Sequence, residues 1–236
     1  MKYLKFSSLF LAFAVYMAAC TSAPKSDEAE VSEAQEVNEE ETAGATELAV
    51  NTEASVVSFV GTKPVGRHSG EFKISEGVVK IENNEVVGGS YTIDISSLKI
   101  TDKEADLDAE SRTKLAGHLS GADFFDKDKF GTAKFEITKV EPYTAPEEAE
   151  ESSKEDAEFK LTDPTHFVTG NLELKGVTKS VKFPAKITVD GKKISAEAKF
   201  NINRKDWGMS YGADESLGDK FIRPTVHIGF KIEAGE

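Results

Sequence analysis

The sequence predicts an all-β protein: an extended antiparallel barrel of about eight strands with one short helix. Three observations carry that reading. The C-terminal half alternates apolar with polar residues in one segment after another. Short turn signals such as Asn83-Asn84 and Asp190-Gly191 join neighbouring segments, as hairpins require. Glycines such as the Gly88-Gly89 pair stand inside predicted strands, where a closing sheet must bend. A sheet with one dry face either packs on a second sheet or closes on itself. Long strands, hairpin links and internal glycines favour closure.

Charge divides the 236 residues before any strand is placed. The net charge of −13 sits in two segments: Cys20 to Glu53 carries −9 and Tyr143 to Glu158 carries −6. The first 19 residues carry +2, which leaves the rest near zero. The acidity is therefore expected in solvated segments and not on a binding face. With no basic patch to neutralise phosphates, nucleic acid is not an expected partner.

Met1 to Ala19 reads as an export signal: Lys2 and Lys5, an apolar run from Phe6, then small residues at Ala18 and Ala19. The run of about 14 residues is shorter than the ~20 of a spanning helix. Cys20 is the sole cysteine and follows Met17-Ala18-Ala19 directly. That resembles a bacterial lipobox with Met17 in place of the usual Leu. It implies cleavage before Cys20 and attachment of lipid there. A lone cysteine forms no internal disulfide. Thr21, not Asp, follows the cysteine, as in lipoproteins destined for the outer membrane. The expected location is the bacterial cell envelope, lipid-anchored to the outer membrane on its periplasmic side or surface. Residues 20–53 hold few large apolar side chains, so they are expected to form a disordered acidic tether.

The foldable body is then 54–236. Val56 to Lys63 reads as the first strand, Phe72 to Ile81 as the second, and Val86 to Ile95 as the third. Lys103 to His118 changes to a helical period, with Leu107 and Leu115 on one face. From Leu115 to Phe135 a helix end, a loop with Phe124 and Phe125, and a new strand at Ala133 form a corner plugged by aromatic side chains. Thr132 to Val140 is again a strand. The acidic insertion, about 142–157, is expected as an exposed loop, with Phe159 and Leu161 on the strand after it. The remaining strands are Val168–Lys175, Lys182–Val189, Ile194–Asn203 and Thr225–Ile232. Their inward positions include Gly170, Ala185, Ala196 and Ala198. These small residues either leave a cavity or make room for phenylalanine rings.

No catalytic set stands out. No GxSxG motif or phosphate-cradling glycine loop is present. His68, His118, His166 and His227 lack metal-ligand spacing. His118 either meets a ligand head group or closes the helix and holds the loop; the second is preferred. Arg204 either meets a phosphate or quinone oxygen or locks a turn with Asp206 while Trp207 covers a barrel end; again the second is preferred.

Three stretches carry a family resemblance. They are His118-Leu119 through Phe124-Phe125 to Phe130-Gly131-Thr132-Ala133 and Phe135, then Gly170 to Lys179, then Arg204-Lys205-Asp206-Trp207-Gly208. Together they resemble the YceI-like family of exported lipid-binding (polyisoprenoid-binding) proteins with a lipocalin-like barrel, over about Ala54 to Glu236. Gly131 stands where the family commonly has Pro, and Glu173 and Lys175 replace the more usual Thr and His. The resemblance implies non-catalytic binding, storage or transport of a long isoprenoid or isoprenoid quinone in the lumen. No cofactor is implied beyond that ligand. The residues expected along it are Phe59, His118, Phe124, Phe125, Phe135, Leu172, Leu174, Phe200, Arg204 and Trp207. The expected partners are an isoprenoid-type lipid and the membrane through the Cys20 anchor, and a homodimer is allowed for. Two rivals stand beside this: a filled barrel without ligand, and an enzyme acting on a lumen-bound lipid through His118 or Arg204.

Overall fold

The structure is a computed structural model that describes residues 23–145 and 157–235. The expected export signal, Cys20 and most of the acidic insertion lie outside the described residues. The elements in order are β1 (Glu30–Glu33), β2 (Thr46–Ala49), β3 (Val56–Thr62), β4 (Arg67–Glu82), β5 (Glu85–Ile100), α1 (Ala109–Ser120), β6 (Thr132–Pro142), β7 (His166–Leu174), β8 (Val177–Asp190), β9 (Lys193–Asn203) and β10 (Thr225–Gly235). Each strand from β3 onward pairs antiparallel with the next, and β10 returns to β3. The result is the predicted closed eight-stranded barrel, in up-and-down order. Closure gives every strand of the meander a partner on both sides.

Local signals place the bends. Asn83 and Asn84 take φ of 50° and 65° in the β4–β5 turn, the left-handed pair that a tight hairpin needs. One residue later in β5 the register slips between Lys80↔Gly88 and Ile81↔Val86. Gly89 has φ of 145°, and a Cβ there would stand 2.6 Å from the Val78 carbonyl oxygen. The unpaired extra residue is Val87, so the glycine pair directly follows a bulge and gives the wall room to turn.

The lower half of the lumen is filled by rings. Tyr91, Phe135, Phe183, Phe200 and Phe230 come from five different strands and meet at centroid separations of 4.1–5.9 Å. Phe183 and Phe200 stack at 4.1 Å. The small inward residues serve this packing: a Cβ on Gly170 would lie 2.4 Å from the Phe135 ring. Ala185 and Ala198 are buried in the same half.

The segment before Ala54 departs from the expected tether. β3 has seven residues and β4 sixteen, so β4 outruns its neighbour. β2 pairs with that overhang, and Val50 bridges Ala234. Leu48 and Val50 are each 7% exposed and belong to the core. A second seam opens where β8 and β9, paired only over Ala185–Asp190 and Lys193–Ala198, part company. Residues 27–33 fill it. β1 pairs with Lys179–Lys182 of β8, and Glu28 bridges Asn201 of β9. Asn201 is 2% exposed; its amide Nδ2 donates to the Pro24 carbonyl (2.9 Å) and to Glu28 Oε1 (3.0 Å). Composition misses this because backbone pairing asks nothing of the side chains. Glu33 and Glu30 stay outside and face Lys179 and Lys182 at 2.7 and 3.8 Å.

Two smaller expectations also change. The helix starts at Ala109, where the Asp108 side chain accepts from the Ser111 N–H; this cap, not the apolar spacing from Lys103, sets its start. Phe159 closes a 3₁₀ turn, and Leu161 lies between that turn and β7, so neither is on a strand. Phe159 instead lies edge-on to His227 at 5.1 Å.

Two outcomes follow. A chain begun at Ala54 loses Leu48 and Val50 from the core, roughly 1.5–3 kcal/mol each; urea denaturation against the chain with residues 20–53 is expected to show about 3–6 kcal/mol less stability. His227, 5% exposed, has its pKa lowered to about 4 by burial, with the Lys199 charge adding to the effect. The unfolded chain therefore takes up a proton that the folded one refuses between about 6.5 and 4. The corresponding stability is complete above pH ~6.5 and declines as pH falls toward 4. His227→Gln is expected to flatten that slope in thermal midpoints measured across the range.

Candidate functional site

Above the ring-filled half the lumen is open. A cavity of about 340 Å³ runs from Phe200 and Phe230 up to a mouth formed by α1, the β3–β4 turn and the loop after β9. Its walls are inward strand positions: Val57 and Phe59 of β3, Phe72 of β4, Ile93 and Ile95 of β5, and Leu172 and Leu174 of β7. The alternation read from sequence puts these side chains inside because successive residues of a strand face opposite ways.

The mouth is aromatic and basic. The β5–β6 corner is tied down by its backbone: Phe125 N donates to the Leu119 carbonyl (3.0 Å) and Asp126 N to the Gly121 carbonyl (2.9 Å). This holds Phe125 against Phe72, edge-on at 5.1 Å. His118 stands edge-on to Phe124 at 5.2 Å and to Tyr211 at 5.0 Å, with Asp123 Oδ2 3.5 Å from its Nε2. The lining includes Lys63, His68, His118, Arg204, Lys220 and Arg223, and no carboxylate among the described residues. Two of these side chains, His68 and Arg204, have structural work. His68 Nδ1 bonds Asp102 Oδ2 at 2.7 Å, and Asp102 Oδ1 accepts from the Ser69 N–H and hydroxyl. Burial tends to raise the Asp102 pKa, but these hydrogen bonds outweigh it and hold the carboxyl below its ordinary value.

Arg204 is 3% exposed. Its Nε donates to the Arg223 carbonyl (3.3 Å), its Nη2 to those of Tyr211 (2.8 Å) and Ile222 (2.9 Å), and its Nη1 to that of Met209. One planar fork thus ties both ends of the loop between β9 and β10. Burial lowers its pKa from the usual arginine value. Phe124 lies 5.6 Å beneath the guanidinium. The turn-lock reading of Arg204 is the one the geometry favours, though the partners are backbone carbonyls and not Asp206.

The structure brings Phe59, His118, Phe124, Phe125, Leu172, Leu174, Phe200 and Arg204 to this cavity. It does not bring Phe135 or Trp207. Phe135 belongs to the layer of rings and, on its far side, lines a second, smaller void. Trp207 is wholly buried, and its Nε1–H donates to the Leu172 carbonyl at 3.1 Å. Inward positions such as Val57, Ile93, Ile228 and Phe230 were available from the strand alternation. Met209, Tyr211 and Ile222 come from a loop, which carries no periodicity to read.

Arg204→Met keeps the stem but leaves four carbonyls without their donor. Each such buried group costs roughly 1–3 kcal/mol, so a loss of about 3 kcal/mol or more is expected in urea denaturation. Protease cleavage in the loop 208–224 should rise with it.

Comparison with known proteins follows the same lines. The YceI-like domain matches residues 48–234. A UPF0312 protein of Pseudomonas fluorescens is 34% identical over 113 residues, 44% of this chain; the match spans about half (50%) of that relative. Burkholderia cenocepacia BcnA superposes with a TM-score of 0.58 at 21% identity, over 78% of this chain and 99% of BcnA. A polyisoprenoid binding domain from Saccharophagus degradans, implicated in plant cell wall breakdown, superposes at 0.54 with 14% identity, over 80% and 97%. At these identities the two structures speak for the fold. The match across most of the chain, together with the closed barrel, shows that the protein belongs to the YceI-like family.

Proposed function

We propose that this protein binds and carries one isoprenoid-type amphiphile in its barrel, without transforming it, in the bacterial cell envelope. The observation that carries the reading is the cavity: apolar walls, one aromatic mouth, and lining charges that are all basic among the described residues. An apolar chain in the lumen gains ~0.8 kcal/mol for each buried methylene. A phosphate, carboxylate or quinone oxygen at the mouth finds Lys63, Lys220 and Arg223 nearby. The description of the Saccharophagus degradans relative as polyisoprenoid binding supports the same ligand class here. A non-catalytic role fits a lining whose two firmly held basic side chains, His68 and Arg204, are engaged in holding the mouth together. Export, with lipid on Cys20, supplies the envelope setting and keeps the barrel at a membrane from which to draw its ligand.

Lipid extracted from protein purified out of its native membrane, and identified by mass spectrometry, is expected at near one molecule per chain. Repeated absence of lipid, with no uptake of added prenyl lipids, would return the filled-barrel reading. Cys20→Ala is expected to shift the protein from the membrane to the soluble fraction on cell fractionation.

A further inference from the structure

We infer that the lumen takes only a short chain, two to three isoprene units or a medium-length acyl chain, because the layer of rings floors the cavity. The inference rests on the carrier reading and adds the size of its ligand. Two voids lie end to end in the barrel, about 340 Å³ above and about 60 Å³ below. Among the described residues, Phe230 lines both. It meets Tyr91 at 5.7 Å, Phe135 at 5.9 Å, Phe183 at 5.8 Å and Phe200 at 5.6 Å, so rings surround it at the level where the voids would join.

Depth and volume set the same limit independently. Phe230 sits opposite Val57 in the register, and β3 ends at Thr62 by the mouth. Five residues of strand rise roughly 17 Å, or about 13 Å along an axis tilted ~40° from the strands. A zigzag chain with ~1.5 Å bonds at ~111° advances about 1.25 Å per carbon. The depth therefore holds roughly 10–13 carbons. By volume, at the ~30 Å³ that a water-sized group occupies in a liquid, 340 Å³ holds about 11. A longer chain gains nothing from the carbons it leaves in water.

The test is a competition of geraniol, farnesol, geranylgeraniol and decaprenol for the full chain, read by native mass spectrometry. Affinity should climb from geraniol to farnesol and then level, with geranylgeraniol and decaprenol within about threefold of farnesol. An unfloored lumen would instead gain about fourfold per added methylene, the equivalent of ~0.8 kcal/mol, and a continued rise past farnesol overturns the limit while leaving the carrier reading intact. If no prenol binds, the carrier reading fails and the limit with it. Phe230→Ala joins the voids and frees the ring's own space, roughly eight more carbons at ~30 Å³ each, so its plateau should move from farnesol to about geranylgeraniol; an unmoved plateau in folded protein overturns the floor. Should that variant not fold, Val57→Phe fills the space above the floor and is expected to bring farnesol down to or below geraniol. Unchanged preference for farnesol there also overturns it.

Discussion

Hydrogen-bond closure of the sheet is the interaction on which everything else here depends. A barrel wall is sound only when each strand finds a partner along its full length. The eight meander strands differ in length, from seven residues in β3 to sixteen in β4 and β5. Their mismatch leaves two seams, and the N-terminal chain fills both before the meander begins. The backbone pairs in these seams, while Leu48 and Val50 supply apolar contact inside. An acidic segment with little hydrophobic content is thereby part of the wall.

A closed wall creates an interior, and the sizes of its inward residues decide how that interior is used. In one half Gly170, Ala185 and Ala198 stand beside the Phe135, Phe183 and Phe230 rings. The removed side-chain volume is given back as aromatic packing. In the other half Val, Ile and Leu side chains share the wall with Phe59 and Phe72, and the space between them stays open. The same strand pairings thus build a floor and a pocket, and Phe230 marks the border.

The mouth depends on a few polar anchors. Arg204 gathers four carbonyls from one loop, and Asp102 ties β4 to the chain after β5 through His68 and Ser69. Irregular backbone has no ladder of its own, so side chains must satisfy its polar groups. His118, Phe124 and Tyr211 pack on one another, and Phe124 lies against the Arg204 guanidinium. Residues that look chemically active in the sequence hold the rim in shape.

The antiparallel barrel, its hairpins at Asn83-Asn84 and Asp190-Gly191, and most of the inward wall are legible in the order of residues alone. Those features follow from local rules: a two-residue side-chain period and turn residues that accept positive φ. Phe59, Leu172, Leu174 and Phe200 could be named because they sit on that period, and His118, Phe124 and Phe125 because they sit in the aromatic corner; Arg204, just past a strand end, follows neither rule. Only the tertiary structure decided the rest. Which half of the lumen is filled depends on rings from five strands meeting across the barrel, beyond any local window. Phe135 and Phe200 look alike in sequence, yet one lines the void below the floor and the other the cavity above it. Likewise, the partners of Arg204 are carbonyls up to 19 residues away, and the seams closed by residues 27–50 exist only once the wall has curved around to make them.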